Sequence, residues 1–163
     1  MNKKYLYFIA CSLILATGCK SVQTKSNAKN IAQWFNVAVT GSEEIYVDTA
    51  NIRQEGAISY AREKRVYITS KGRKAYVNRI RYELAKINKA EKAEKWNDFS
   101  YCIYDCLYEC TNKRFRILSV EDYDSSGKLI TKTKPAKGII KWLNVEPETV
   151  GDHTFFFVCD YNQ

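Results

Sequence analysis

An apolar run of thirteen residues, 5–17, follows Lys3 and Lys4 and ends at Gly18-Cys19. A bilayer span needs about 20 apolar residues, whereas about 7 to 15 behind a positive start fit a secretory signal. The run therefore reads as an export signal rather than a transmembrane anchor. That constrains the rest of the chain in two ways. Folding proceeds without the first residues, and it proceeds in an oxidising compartment, where disulfides form and persist. Removing residues 1–18 takes away Lys3, Lys4 and Cys11, so the net charge of +8 falls to +6 and five of the six cysteines remain. The composition is that of an ordinary globular protein: 45% hydrophobic residues with only 7 Gly and 2 Pro exclude a disordered tail or a collagen-like repeat.

The end of the run carries more detail. Leu15-Ala16-Thr17-Gly18-Cys19 resembles the lipobox of bacterial lipoproteins, in which the cysteine sulfur receives diacylglycerol and becomes the new N-terminus. Ala16 stands where leucine is usual, with Leu15 one step earlier. The expectation is a signal peptide over residues 1–18, a lipidated Cys19, and a polar tether over 19–30 rich in Ser, Asn and Lys. One domain then occupies residues 31–163, a length that suits a single core.

Within that domain the residue pattern changes period twice. Trp34-Phe35-Asn36-Val37-Ala38-Val39 and Ile45-Tyr46-Val47-Asp48, separated by Thr40-Gly41-Ser42, read as paired strands. A long third strand over residues 57–68 is interrupted in pattern by its polar centre, Arg62-Glu63-Lys64-Arg65. From Arg73 the spacing of Tyr76, Ile80, Leu84 and Ile87 predicts a basic amphipathic helix over residues 73–96, with its final turns solvated. Strand-like sequence resumes over 99–109 and 114–120. Tyr123 to Ile130 then reads as a hairpin in which Gly127 supplies the positive φ of the turn. After Pro147 the end is ambiguous. A proline followed by an acid favours a helix start, while Phe155-Phe156-Phe157-Val158 equally suits a strand.

Trp34, Ile45-Tyr46-Val47-Asp48, Ile52-Arg53, Cys110, Phe115-Arg116-Ile117-Leu118, Tyr123-Asp124-Ser125-Ser126-Gly127-Lys128, Trp142-Leu143-Asn144-Val145-Glu146-Pro147-Glu148-Thr149 and Cys159 occur in an order and spacing that resemble the bacterial surface-adhesin protein E family. The resemblance covers nearly all of residues 31–161. It departs from the family pattern in the length of the basic helical segment and in two additional cysteines, Cys102 and Cys106. It implies an α+β fold: an antiparallel sheet of about six strands with a C-terminal helix, here with the basic helix inserted. It also implies a disulfide from Cys110 to Cys159, which would limit the unfolded chain by about 4 kcal/mol in the loop-entropy model. Cys102 and Cys106, four residues apart on an extended strand, would have Cα atoms about 13 Å apart, beyond the roughly 7 Å a disulfide tolerates.

No residue set demands an enzyme. A C-x3-C-x3-C series on one strand holds its sulfurs too far apart for one tetrahedral ion, so no metal or cofactor is expected. His153, the only histidine, reads as a surface or helix-face residue, and the chain has no G-x-S-x-G, H-E-x-x-H or phosphate-cradling loop. Glu121, Asp122 and Asp124 read as solvated or turn-shaping acids. Charge is regional: residues 60–95 hold twelve Lys or Arg against four Glu. Arg73, Lys74, Arg79 and Arg81 are candidates for an anionic ligand, set against an ordinary solvated helix face. The whole reads as a lipid-anchored protein of the Gram-negative cell envelope, at the outer membrane. The resemblance implies an adhesin that binds a host or matrix protein, with an acidic polysaccharide as a further partner class and nucleic acid disfavoured for an exported chain. The alternative is a periplasm-facing accessory lipoprotein that binds another envelope component.

Overall fold

The computed structural model describes residues 31–136 and 138–161. The expected signal peptide, the lipidated Cys19 and the tether lie outside the described residues. No helix among the described residues is long and apolar enough to cross a membrane.

Among the described residues, eight strands form one antiparallel sheet: β1 (Trp34–Val39), β2 (Glu43–Asp48), β3 (Arg53–Glu55), β4 (Ile58–Tyr67), β5 (Phe99–Glu109), β6 (Arg114–Asp124), β7 (Leu129–Thr133) and β8 (Leu143–Asn144). The main path runs β1-β2-β4-β5-β6-β7, while β3 pairs with β4 and β8 with β6. The six-strand expectation describes the main path, and two short strands extend it. Gly127, at φ +82°, turns β6 into β7, and Asp124 fixes that turn by accepting from the backbone N–H groups of Ser126 and Lys128.

The α-helices among the described residues, α1 (Ser70–Ala85) and α2 (Val150–Asp160), are joined by sequence to opposite ends of this sheet and pack on the same face of it. That face is set by alternation along the strands. Ala61 and Tyr67 of β4 and Cys102, Cys106 and Tyr108 of β5 point toward the helices and are buried. Phe155, Val158 and Cys159 of α2 cover Ala61, Cys106 and Tyr108, while Tyr76 of α1 covers Tyr67, Phe99 and Cys102. The ambiguous C-terminal end is thus a helix, started by Thr149, whose hydroxyl accepts from the N–H of Asp152. Three consecutive phenylalanines follow helical spacing here: Phe155 goes into the core while Phe156 stays 42% exposed. The bond between Cys110 and Cys159 is formed, with Cα atoms 5.7 Å apart, and ties the last turn of α2 to the end of β5. Cys102 and Cys106 lie on the extended strand β5, where their spacing precludes a bond between them, and both are free and buried.

The long third strand is borne out as β4, and its polar centre is explained by Glu63, which is buried with the Tyr108 hydroxyl donating to it and Arg65 3.2 Å away. Two expectations need correction. The single helix over 73–96 is two pieces. α1 begins at Ser70, with Thr69 as its cap, and ends at Ala85; after Asn88, at φ +54°, a 3-10 segment (Ala90–Trp96) folds back against α1. Ile87 is left 58% exposed, so the apolar stripe ended one turn early. The reversal brings Trp96 beneath α1, where its indole N–H donates to Asp122 at 2.8 Å and the Tyr76 hydroxyl donates to the same carboxylate at 2.7 Å. Asp122 is therefore not a solvated turn acid but a buried anchor for the inserted helical segment. Gly72 sits where α1 comes closest to the β1–β2 turn: a Cβ there would lie 3.1 Å from Thr69 Oγ1 and 3.2 Å from Ser42 Cβ.

Candidate binding surfaces

With α1 and α2 on one side, the other side of the sheet is open. It forms a recess of about 760 Å³ to which neither helix contributes a lining residue. Strand alternation sends Tyr60 and Arg62 of β4, Ile103 and Asp105 of β5, Glu121 and Tyr123 of β6 and Lys132 of β7 into it. A register shift between Asp105 and Cys106 pairs Asp105 with Ser119 and Cys106 with Ile117, leaving one extra residue on β6. That bulge keeps Ile117 in the helix-facing core and turns the Ser119 hydroxyl onto Asp105.

The floor is a closed ionic network. Arg62 reaches Asp105 through Nε and Glu121 through Nη2, both at 3.1 Å. Lys132 Nζ lies 2.6 Å from Glu121 and 3.8 Å from Asp105. The hydroxyls of Tyr60 and Tyr123 donate to Asp105 and Glu121 at 3.1 and 2.7 Å. Burial pushes both carboxyls upward, but Ser119, Arg62, Tyr60 and Lys132 outweigh it at Asp105, and Lys132, Tyr123 and Arg62 outweigh it at Glu121. Both end below the ordinary carboxylate range, so both are charged at neutral pH. Neither is poised to exchange a proton near pH 7, as a general acid or base must. Cations lie over rings on this side of the sheet: at the recess Arg53 lies 4.4 Å from the Tyr60 centroid, and outside its lining Lys64 lies 4.4 Å from Tyr101 and 5.9 Å from Trp34. Tyr101 and Tyr123 stack at 4.8 Å. Arg53 and Lys64 have no carboxylate within ion-pair distance among the described residues. Fixed charges and aromatic faces in a wide, shallow recess suit recognition of a polar macromolecule.

Sequence reasoning missed this face. Arg62 is 43 residues from Asp105 and 59 from Glu121, so only the strand order brings them together. The available signal was the alternation itself, which placed Tyr60, Arg62 and Lys64 on one side of β4.

The basic residues singled out in the sequence lie on α1, and the structure divides them. Arg73, Lys74 and Arg81 border a second recess, of about 300 Å³, between α1 and the residues that follow the 3-10 segment, with Val77, Trp96 and Phe99 also lining it. Arg79 is not part of it; its guanidinium lies 5.0 Å over the Tyr76 ring and its charge lowers the pKa of Asp122, whose net shift is upward because of burial. Other cations of the basic segment are dispersed: Arg62 lines the open recess, Lys64 lies over Tyr101, Arg65 pairs with Glu63, and Lys86 with Glu83 at 2.8 Å. His153 is exposed on α2, and no cluster of potential metal ligands occurs among the described residues.

Two solved structures of Haemophilus influenzae protein E resemble this chain. One, a second crystal form, has a TM-score of 0.45 at 11% identity, covering 80% of this chain and 97% of that one. The other has a TM-score of 0.43 at 11% identity, covering 80% and 93%. No curated protein matches the sequence. The sequence model of surface-adhesin protein E matches residues 34–160, which takes in every strand and both helices. On that match over most of its length, the chain belongs to the surface-adhesin protein E family.

Proposed function

We propose that this protein is a lipid-anchored, non-catalytic adhesin of the Gram-negative cell envelope that binds a host or extracellular-matrix macromolecule through the open face of its sheet. The observation that carries the reading is the asymmetry of the sheet. Both helices and the disulfide stabilise one face, while the other holds four charged side chains in a fixed network, with Arg53 and aromatic rings lining the recess and Lys64 beside it over Trp34. A face held rigid by its own ion pairs loses little side-chain entropy when a partner docks. Family membership supports the adhesin role, and the lipobox-like Leu15-Ala16-Thr17-Gly18-Cys19 supports the anchor.

The test is binding of the purified domain to immobilised extracellular-matrix proteins, compared with the double variant Arg53→Ser/Lys64→Ser. Neither residue belongs to the ionic floor, so the variant keeps the fold. Saturable binding that the variant weakens supports the reading. Saturable binding untouched by it moves the contact off this face. Absence of binding to any matrix protein favours the alternative, a periplasm-facing accessory lipoprotein.

A further inference from the structure

We infer that the recess along α1 is a separate binding site for an acidic polysaccharide chain, sulfated or carboxylated. Three observations point to it. Along α1, Ser70, Arg73, Lys74, Asn78 and Arg81 recur at the three- and four-residue spacings of one helix face and all border the recess. Among the described residues, Arg73, Lys74 and Arg81 have no carboxylate within ion-pair distance, whereas Arg65, Lys86 and Arg114 each have one and Arg62 and Lys132 each have two. Arg73 is held in place instead by donating to the Tyr67 carbonyl at 2.7 Å, and Arg81 donates to Asn78.

The third observation is where the charge sits. A helix start favours acidic residues, because its free N–H groups carry partial positive charge. The first turn of α1 holds no acid, and Lys71, Arg73 and Lys74 stand there instead. Folding alone disfavours that arrangement, and among the described residues Lys71 and Lys74 have no ion-pair partner, while Arg73 donates to the Tyr67 carbonyl. An anion in the recess would lie against Arg73 and Lys74.

The spacing of the cations selects the ligand class. Arg73, Lys74 and Arg81 border the recess over about 12 Å of α1, with Asn97-Asp98 across from them and the buried Trp96 and Phe99 also lining it. An extended chain with anionic groups in series can lay them against Lys74, Asn78 and Arg81. The site lies on the helix-covered side of the sheet, so it is independent of the open face and both can be occupied at once.

The experiment measures retention of the full chain on heparin, with anionic phospholipid vesicles and single-stranded DNA as parallel probes. Lys74→Ser/Arg81→Ser changes two exposed side chains and leaves the Arg73 anchor intact. Arg79→Ser removes the same kind of charge from a position about 160° round the helix from Arg81. The double variant should weaken heparin binding about tenfold, the loss of two charge-assisted contacts, while Arg79→Ser changes it less than twofold. Equal effects of the two variants would mean diffuse surface charge and overturn the proposal. So would heparin binding unchanged in the double variant, or vesicles or DNA bound as tightly and lost with the same substitutions. Matrix-protein binding through the open face should be the same in both variants, so the two sites fail separately.

Discussion

Breaking the bridge between Cys110 and Cys159 should lower stability without undocking α2. The bridge joins positions 49 residues apart. In the loop-entropy picture, freeing a denatured chain of that constraint costs the folded state about 4 kcal/mol. The helix has other attachments. Phe155 and Val158 are each 2% exposed against Tyr108, Ala61 and Cys106, and each such burial contributes about 1.5 to 3 kcal/mol. The apolar contacts alone therefore match the cross-link, and α2 should remain in place. For a domain of this size each kcal/mol moves the melting temperature by roughly 3 to 4 °C, so the fall should be about 12 to 16 °C. The double variant Cys110→Ser/Cys159→Ala suits the test. Ser59 Oγ lies 3.6 Å from Cys110 Sγ and offers a new hydroxyl a partner, whereas Cys159, at 4% exposure, is better replaced by an apolar group. Thermal and urea melts followed by circular dichroism would compare the oxidised protein, the reduced protein and the variant. Reduced protein and variant should coincide, each with one cooperative transition. A loss under about 1 kcal/mol would refute the entropic assignment. A separate early transition would refute the claim that packing holds α2.

Three further outcomes follow from the buried and ionic groups. Tyr108→Phe removes a donor to Glu63, which is 3% exposed, and should cost about 1 to 3 kcal/mol in a urea melt; a change within 0.5 kcal/mol of zero, about that of an ordinary surface substitution, would mean Glu63 is satisfied by Arg65 alone. Burial pushes the Cys102 thiol up to about 12 and Cys106 well above its ordinary value, so iodoacetamide at pH 8 should label neither in the native protein and both after denaturation; native labelling would place them at the surface. Asp105 and Glu121 titrate below their unfolded values of about 3.9 and 4.3, so their contribution is complete above that range and lost as pH falls through it. The urea-midpoint gap between the native protein and Asp105→Asn should therefore be widest near pH 6 to 7 and shrink toward pH 3, with Asp122, which burial shifts the other way, cancelling in the comparison. A gap constant with pH would contradict the network.

Much of the architecture is legible from local signals. β-rich composition marks β1 and β2, alternation marks β6, Gly127 marks the β6–β7 turn, and the four-residue spacing of Cys102 and Cys106 rules out a bond between them on a strand. What local reading misses depends on partners distant in sequence. The strand over 57–68 is legible, but the reason its centre can be polar is not: Arg62-Glu63-Lys64-Arg65 carries no apolar alternation, and Glu63 is buried because it meets Tyr108, 45 residues on. The helical pattern runs past Ala85 because alanine and lysine favour helix anywhere; the chain turns back at Asn88 so that Trp96 can reach Asp122, 26 residues away. The same limit hides the open face, whose four charged groups come from four strands. The basic candidates were visible as residue types, yet only the helix angle separates Arg79 from Arg73, Lys74 and Arg81.

Display at the cell surface is the central claim, and protease treatment of intact cells tests it most directly. The full-length protein, expressed in its own envelope, would be followed by immunoblot beside a periplasmic marker. The account expects the 31–163 domain to be degraded while the marker stays intact, because a tethered adhesin must reach its ligand from outside. Full protection in intact cells, with degradation only once the outer membrane is permeabilised, would contradict it.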